Sequence, residues 1–201
     1  MPKHLIRAHG IRALRSGHPE VRRLKRQYVP SAHGNKTWTS SWLLVEYFRR
    51  RGLHARARVM EVGCGWGLAG IYCAKKHGAR VTWVDLDADV LPFLRLQGKI
   101  NGVETPFMRR SFNGIYGKHL TGFDVLIGAD ICFWDDMVLP LKRLILRALR
   151  AGVGLVLIAD PGRSPFEELG KYFIAQGTGR TMDWSTPRPR KIRGRLLEIS
   201  D

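Results

Sequence analysis

Four acids, Glu61, Asp85, Asp130 and Asp160, stand at or near the ends of short apolar runs, and the stretch "EVGCGWGLAG" places glycines at 63, 65, 67 and 70 directly after the first of them. Carboxylate oxygens accept hydrogen bonds from hydroxyl and ammonium groups. Glycines let a backbone take positive φ and approach a ligand with no side chain between. Together they predict a site that holds a small polar ligand against bare backbone.

Two frames compete for the glycines. Gly65-x-Gly67-x-x-Gly70, with Asp85 twenty residues after Gly65, matches a dinucleotide fingerprint. That frame leaves Glu61 and Gly63 inside a buried first strand, where neither a charge nor a bare backbone is welcome. Starting at Gly63 instead, the strand "ARVMEV" ends cleanly, but the third fingerprint position is Leu68. A pyrophosphate would also meet the carboxylate of Glu61. A ligand with a ribose, an adenine, positive charge and no phosphate suits the acid and the glycines together, and S-adenosylmethionine has those parts.

The elements that must position these residues follow from hydrophobic period. From residue 58 onward, "RVMEVG", "RVTWVD", "FDVLIGAD" and "VGLVLIAD" alternate with helical patterns over 66–77, 88–100, 135–150 and 164–176. "GTGRTMDW" and "KIRGRLLEIS" read as a closing pair of strands. Repeated β-α-β predicts an α/β fold, a mainly parallel sheet with helices on both faces, and such sheets bind ligands beyond the carboxyl ends of their strands. The acids that end the runs therefore converge. Asp87 reads as a helix cap, and Asp135 and Asp136 in the first turn with Arg147 and Arg150 in the last suit the dipole of their helix.

Composition narrows the class. A chain of 201 residues is most simply one domain, and 44% hydrophobic with 25% charged residues is ordinary for a soluble protein. Residues 1–30 read as a basic extension ahead of a domain spanning 31–201. No window approaches the roughly 18 consecutive apolar residues of a membrane span. Cys64, Cys73 and Cys132 contain no C-x-x-C pair, which argues for free thiols in a reducing compartment and against a metal site. The first 28 residues are rich in Arg but lack the apolar core of a secretory signal; this points to the cytoplasm and leaves a mitochondrial matrix address open. The formal charge of +17 predicts an acidic partner, either an acidic protein or a nucleic acid. Arginine accounts for 24 of the 34 basic residues and is spread over every segment, as an arginine-biased genome would also produce.

E-x-G-x-G-x-G followed by an acid after the next strand resembles the class I, seven-stranded S-adenosylmethionine-dependent methyltransferases, over roughly residues 36–199. The pieces "KTWTSSWLLVEYF", "GADICFWDD" and "LIADPGRSPFEEL" resemble the family-16 protein-lysine methyltransferases, and most nearly the branch that modifies the β subunit of electron-transfer flavoprotein and its bacterial relatives. Two positions depart from that pattern. Phe133 stands where the family carries a tyrosine, and Phe112 where it tends to carry a tryptophan.

The resemblance implies a Rossmann-like three-layer sandwich with a mainly parallel seven-stranded sheet. It implies S-adenosylmethionine as methyl donor, S-adenosylhomocysteine as product, and lysine of an acidic protein as acceptor. Gly63, Gly65 and Gly67 would admit the donor, since a Cβ there would fill ligand space or forbid a positive φ. Glu61 would face its ammonium or ribose edge, Asp85 would accept both ribose hydroxyls, Phe112 would lie against adenine and Trp38 would close over it. Asp130, at the catalytic position, would hold the amine and border the donor. Phe133 and Trp134 would line the acceptor slot, although consecutive residues of a regular element cannot both face one pocket, so one of the two is expected in the core. Arg163 would read an acidic substrate or pair with a nearby carboxylate.

Methylation of a small molecule or of RNA, and an inactive scaffold on nucleic acid, are the competing readings. The Asn/Asp-Pro-Pro-Tyr/Phe set of adenine-amino methyltransferases is absent at "GADICFW".

Overall fold

The computed structural model describes residues 4–31, 34 and 36–200. Residues 1–3 of the basic N-terminal stretch lie outside them. The chain begins with a short hairpin, β1 (Leu5–Ala8) and β2 (Ile11–Leu14), then α1 (Pro19–Gln27) and α2 (Ser41–Arg51). There follow β3 (Arg58–Val62), α3 (Leu68–His77), β4 (Arg80–Asp85), α4 (Leu91–Asn101), β5 (Phe107–Arg109), α5 (Gly117–Leu120), β6 (Val125–Ala129), α6 (Asp135–Arg150), β7 (Leu155–Asp160) and α7 (Ser164–Ala175). The antiparallel pair β8 (Gly179–Thr186) and β9 (Ile192–Ile199) closes the chain.

The seven main strands lie in the order β5-β4-β3-β6-β7-β9-β8. Pairs among β3 to β7 are parallel, and β9 joins β7 antiparallel. From β3 the chain runs outward through β4 to β5, then returns to lay β6 on the other side of β3. That reversal is a topological switch point, where the loops at the strand tips part and leave a crevice.

Alternation along each strand feeds two layers of core, as a sheet covered on both faces requires. Val59, Ile127 and Leu157 pack with α2, α3 and Leu94 of α4 on one face. Met60, Leu126, Val156 and Ile158 pack with α5, α6 and α7 on the other. The result is a three-layer sandwich. Glu46 is buried in α2 and accepts from Arg49 Nε at 2.8 Å and Arg50 Nε at 2.6 Å, and these guanidinium bonds pull its carboxyl down to about 2 despite burial.

Residues 4–29 are folded onto this body. The backbone N–H of Leu14 donates to Gln97 Oε1 at 3.0 Å while Gln97 Nε2 donates back to the Leu14 carbonyl at 3.0 Å. Asn101 makes the same exchange with Arg12, at 2.9 and 2.7 Å. Two carboxamides of α4 thus serve the open edge of β2 as a neighbouring strand would. Leu14, Val21 and Leu24 complete a small cluster with Trp66 and Phe93. Among the described residues no helix is long and apolar enough to cross a membrane.

Candidate active site

The loop from β3 to α3 carries Gly63, Gly65 and Gly67 at φ of 57°, 50° and 71°. All three are in the left-handed region, where a side chain costs roughly 1–2 kcal/mol. Their spatial reasons differ. A Cβ on Gly63 would come within 2.6 Å of Ile131, and one on Gly67 within 2.2 Å of Leu94 and 2.6 Å of Trp83, whereas one on Gly65 would meet nothing within 4 Å. Only Gly65 presents bare backbone to open space. A Cβ at these positions is expected to fill ligand space or forbid a positive φ: all three have positive φ, and at Gly63 and Gly67 the added Cβ would also meet the protein's own side chains.

Two acids brace this loop from below. Glu61 is buried, and its Oε2 accepts from the Gly70 N–H at 2.8 Å; desolvation raises its carboxyl to about 8, against the opposing effect of that hydrogen bond. Asp85, at the tip of β4, accepts from the Gly65 N–H at 2.9 Å and from the Asp87 N–H at 3.1 Å, one bond on each oxygen. Burial raises its carboxyl too. Each oxygen of Asp85 keeps a lone pair for a ligand hydroxyl.

Across the switch point, Asp130 follows β6 with φ of 55°, an uncommon conformation for a residue other than glycine and one that marks strained sites. Its Oδ2 accepts from the Ser40 N–H at 3.0 Å and its Oδ1 from Arg163 Nη1 at 2.9 Å. The same Nη1 reaches Asp160 Oδ2 at 2.6 Å, while Asp160 Oδ1 accepts from the N–H groups of Gly162 and Arg163 at 2.9 and 2.8 Å. Arg163 does not line the cleft. It stands behind it, pairing with two buried carboxylates and covering the Phe133 ring at 4.3 Å.

Residues 28–31, 34 and 36–40 roof the crevice. Val29 N–H donates to Asp89, the N–H and hydroxyl of Ser31 donate to Asp87 Oδ2 at 2.5 and 2.9 Å, and Trp66 Nε1 donates to the Gly34 carbonyl at 2.9 Å. Asp87 also caps the turn at 88–90 by accepting from the Asp89 N–H at 2.8 Å. Trp38 closes edge-on against Phe133, with ring centroids 5.0 Å apart, and Lys36 Nζ lies 4.0 Å from the centroid of the Trp38 ring.

One cleft gathers Trp38, Glu61, Gly63, Gly65, Gly67, Asp85, Phe112, Asp130, Phe133 and Trp134. Phe133 and Trp134 both line it, and neither is core: Trp134 is 50% exposed and Phe133 is half-buried. The alternation expected of a regular element does not apply, because residues 130–134 follow an irregular path. Phe112 is held from behind by Arg147, whose Nη2 donates to the Phe112 carbonyl at 2.6 Å and whose Nε donates to that of Ile115 at 2.8 Å. Arg147 thus does more than complement its helix dipole.

Sequence reasoning passed over Trp66. It is buried, stacks on Phe93 with centroids 5.2 Å apart and planes 4° apart, and ties the glycine loop to the roof. Its signal was a large aromatic placed between two glycines.

Among the described residues, the lining holds three carboxylates, Asp85, Asp87 and Asp130, and the buried Glu61, whose raised carboxyl keeps its proton near neutral pH, against one cation, Lys36, in a chain of net charge +17. Such a pocket opposes a pyrophosphate and favours a cationic ligand. The open space over Gly65, the spare lone pairs of Asp85 and the apolar wall of Trp66, Leu68 and Phe112 fit a nucleoside that carries positive charge. Among the described residues no group of His, Cys, Asp or Glu is arranged to hold a metal ion, and the three cysteines are buried free thiols.

Comparison with known proteins agrees with this geometry. The family described as lysine methyltransferase matches residues 22–175. The ubiquinone biosynthesis O-methyltransferase of Xanthomonas axonopodis pv. citri (strain 306) is 33% identical over 167 residues, covering 78% of this chain and 69% of the relative. Its counterpart from Xanthomonas oryzae pv. oryzae (strain PXO99A) is 26% identical over the same lengths. Among solved structures, the human methyltransferase 10 domain containing protein superposes with a TM-score of 0.62 at 12% identity over 82% of this chain and 83% of that one. TrmN from Thermus thermophilus gives 0.60 at 16% over 80% and 48%. These likenesses are of fold alone. With its glycine loop, its acidic cleft and the family match over most of its length, the chain belongs to the family-16 lysine methyltransferases and is an S-adenosylmethionine-dependent methyltransferase.

Proposed function

We propose that the acceptor is the side-chain amine of a lysine in a protein. The observation that carries this reading is Lys36: its ammonium lies over the Trp38 ring at 4.0 Å, at the mouth of a cleft lined by carboxylates. The mouth already accommodates one primary ammonium of the chain itself. A second lysine, entering from solvent, would meet the same negative field and the exposed ring of Trp134 beside it, an aromatic contact being worth roughly 0.5–2 kcal/mol.

S-adenosylmethionine supplies a methyl carbon activated by a sulfonium. Asp85 would hold its ribose hydroxyls, the Gly65 backbone, on the loop that Glu61 braces, its charged end, and Phe112 its adenine. The chain's task is then alignment, since an oriented in-line displacement gains roughly 7–11 kcal/mol over reaction in solution. The carbon–nitrogen bond forms as the carbon–sulfur bond breaks, and the departing electron pair stays on sulfur.

The amine must first be neutral. From a free pKa of about 10.4, this costs roughly 4 kcal/mol near pH 7.4, and desolvation beside a fixed cation lowers that cost. Asp130 would orient the amine by accepting its hydrogens while the proton leaves to water. Its two oxygens already hold Ser40 and Arg163, so it is fixed in place before any substrate arrives. Phe133 offers no hydroxyl here, which leaves the polar handling of the amine to Asp130.

Incubating the protein with methyl-tritiated donor and a fractionated lysate of the source organism tests the reading. Label that survives acid hydrolysis as methyl-lysine supports it. Label on RNA, or on molecules that pass a dialysis membrane, overturns it. A small hydroxylated acceptor is the second reading, favoured by the names of the O-methyltransferase relatives.

A further inference from the structure

A second groove opens from the cleft mouth. Lys36, Thr37 and Trp38 line both, so the roof segment is the shared wall between them. The rest of the groove comes from elements distant in sequence: His4 and Arg15 flank the N-terminal hairpin, and Arg190 stands in the turn between β8 and β9. Arg15 and Arg190 are exposed, and among the described residues neither they nor Lys36 forms an ion pair. Among the described residues the groove lining contains no Asp or Glu.

The sign of charge therefore reverses over a short path. Among the described residues, Asp85, Asp87 and Asp130 face the cleft, whereas the charged side chains of the groove beside it, Arg15, Arg190 and the shared Lys36, are all cations. We propose that the groove is the docking site for an acidic segment of the protein substrate, adjoining the lysine that enters the cleft. This rests on the reading of the acceptor as a protein lysine, and adds where its flank binds and what sequence it carries. A cationic side chain in the acidic cleft with carboxylates beside it on Arg15, Arg190 and Lys36 satisfies both fields at once.

A single-stranded nucleic acid fits less well. It bears a phosphate at every nucleotide, so the one presented to the cleft would bring its charge towards Asp87 and Asp130. Its bases also need aromatic platforms. Trp42 is buried in the groove floor at 3% exposure, and the Trp38 ring is covered by Lys36 and abutted by Phe133.

The test uses fluorescence anisotropy on the full chain saturated with S-adenosylhomocysteine. Three labelled probes are compared: a decapeptide with a central lysine flanked by glutamates, the same peptide with glutamines, and a ten-nucleotide oligouridylate. The glutamate peptide should bind about tenfold more tightly than the glutamine peptide, and Arg15→Glu with Arg190→Glu should erase that difference while the product's own affinity stays within about twofold. Lys118→Glu with Lys171→Glu, the same charge change made on α5 and α7 across the sheet, should keep it. Equal loss in that control overturns the groove, as does oligouridylate binding more tightly than the glutamate peptide through the same arginines. Mass spectrometry of the peptide after incubation with donor separates the two layers. Charge-dependent docking with no methyl on lysine defeats the acceptor and leaves the groove standing, whereas methylation of the glutamate peptide that is indifferent to Arg15 and Arg190 defeats the groove and leaves the acceptor.

Discussion

The Gly70 N–H donates to Glu61 Oε2 at 2.8 Å, and a Cβ on residue 70 would stand 2.5 Å from that same oxygen. The last glycine of the motif thus serves neither a turn nor a ligand. It is the gap in α3 through which a buried carboxylate reaches the helix backbone. The same Cβ would also press on Trp83 Nε1 at 2.7 Å and Val81 Cγ1 at 2.8 Å. Gly70→Ala should cost about 1–3 kcal/mol by overpacking and weaken binding of S-adenosylhomocysteine, because displacing Glu61 moves the glycine loop it braces. Thermal unfolding and titration calorimetry read the two effects. An alanine variant with unchanged melting and unchanged affinity would refute the role assigned here to Gly70.

The raised Glu61 carboxyl gives a pH dependence of definite sign. Unfolded, Glu61 titrates near its usual 4.5; folded, near 8. The native state therefore holds the proton more tightly, and this group's contribution to stability is complete below pH 4.5 and is lost as pH rises towards 8. The loss amounts to about 1.4 kcal/mol for each pH unit of that window. Urea unfolding of the ligand-free protein should show stability falling between pH 5 and 8, and Glu61→Gln, which stays neutral, should flatten that slope. A slope identical in the variant would assign the titration to another group.

The β-α alternation was legible because buried parallel strands and amphipathic helices each carry their own period, and the acids at the strand tips followed from it. What failed to show were contacts that period does not encode. The strands "LIRA" and "IRAL" are four residues long with an arginine in each, and the edge partners of the second, Gln97 and Asn101, lie 83 and 89 residues away. Phe133 and Trp134 both reach the cleft because 130–134 leaves regular structure, a departure signalled only by the positive φ at Asp130. Gly70 matched a fingerprint by spacing, while its actual partner stands nine positions earlier. Arg163 was open between reading substrate and pairing with carboxylates, and three-dimensional proximity to Asp130, 33 residues away, was needed to decide it.

The glycines of the loop should separate by phenotype. At Gly67 a methyl group collides with Leu94 and Trp83, so Gly67→Ala should chiefly destabilise the fold. At Gly65 it projects into open space, so Gly65→Ala should carry the backbone strain of roughly 1–2 kcal/mol and, beyond it, a larger loss of donor affinity. Comparing the melting shift with the calorimetric affinity of each variant gives the ordering. The reverse ordering would mean that the ligand lies against Gly67 instead.

Trp66 couples roof to floor through two separable contacts. Trp66→Phe keeps an aromatic ring against Phe93 and removes only the bond to the Gly34 carbonyl, a loss of about 1 kcal/mol. Trp66→Ala removes both and should cost about 3–5 kcal/mol. If the roof is held down by that bond, the Phe variant should show faster amide exchange across residues 28–31, 34 and 36–40 with little change elsewhere. Uniform exchange in both proteins would place the roof's anchorage on Asp87 and Asp89 alone.

Among the described residues, Arg163 supplies the only positive charge that bonds both Asp130 and Asp160, whose side chains are 1% and 0% exposed. Removing it strands two buried acids, and breaking a buried pair in this way typically costs about 3–5 kcal/mol. Arg163→Gln should accordingly lower stability by about that amount and slow methyl transfer, since Asp130 loses the group that fixes its Oδ1. The burial that raises Asp160 above the usual carboxylate range would then act with less opposition, and a raised carboxyl is stabilising in its protonated form. The deficit should shrink as pH falls towards 5, and Asp160→Asn added to Arg163→Gln should recover much of it at neutral pH by removing one stranded charge. Urea denaturation of the single and double variants across pH tests this directly. A double variant no more stable than Arg163→Gln alone would show that the guanidinium acts through its packing on Phe133, not through the two carboxylates.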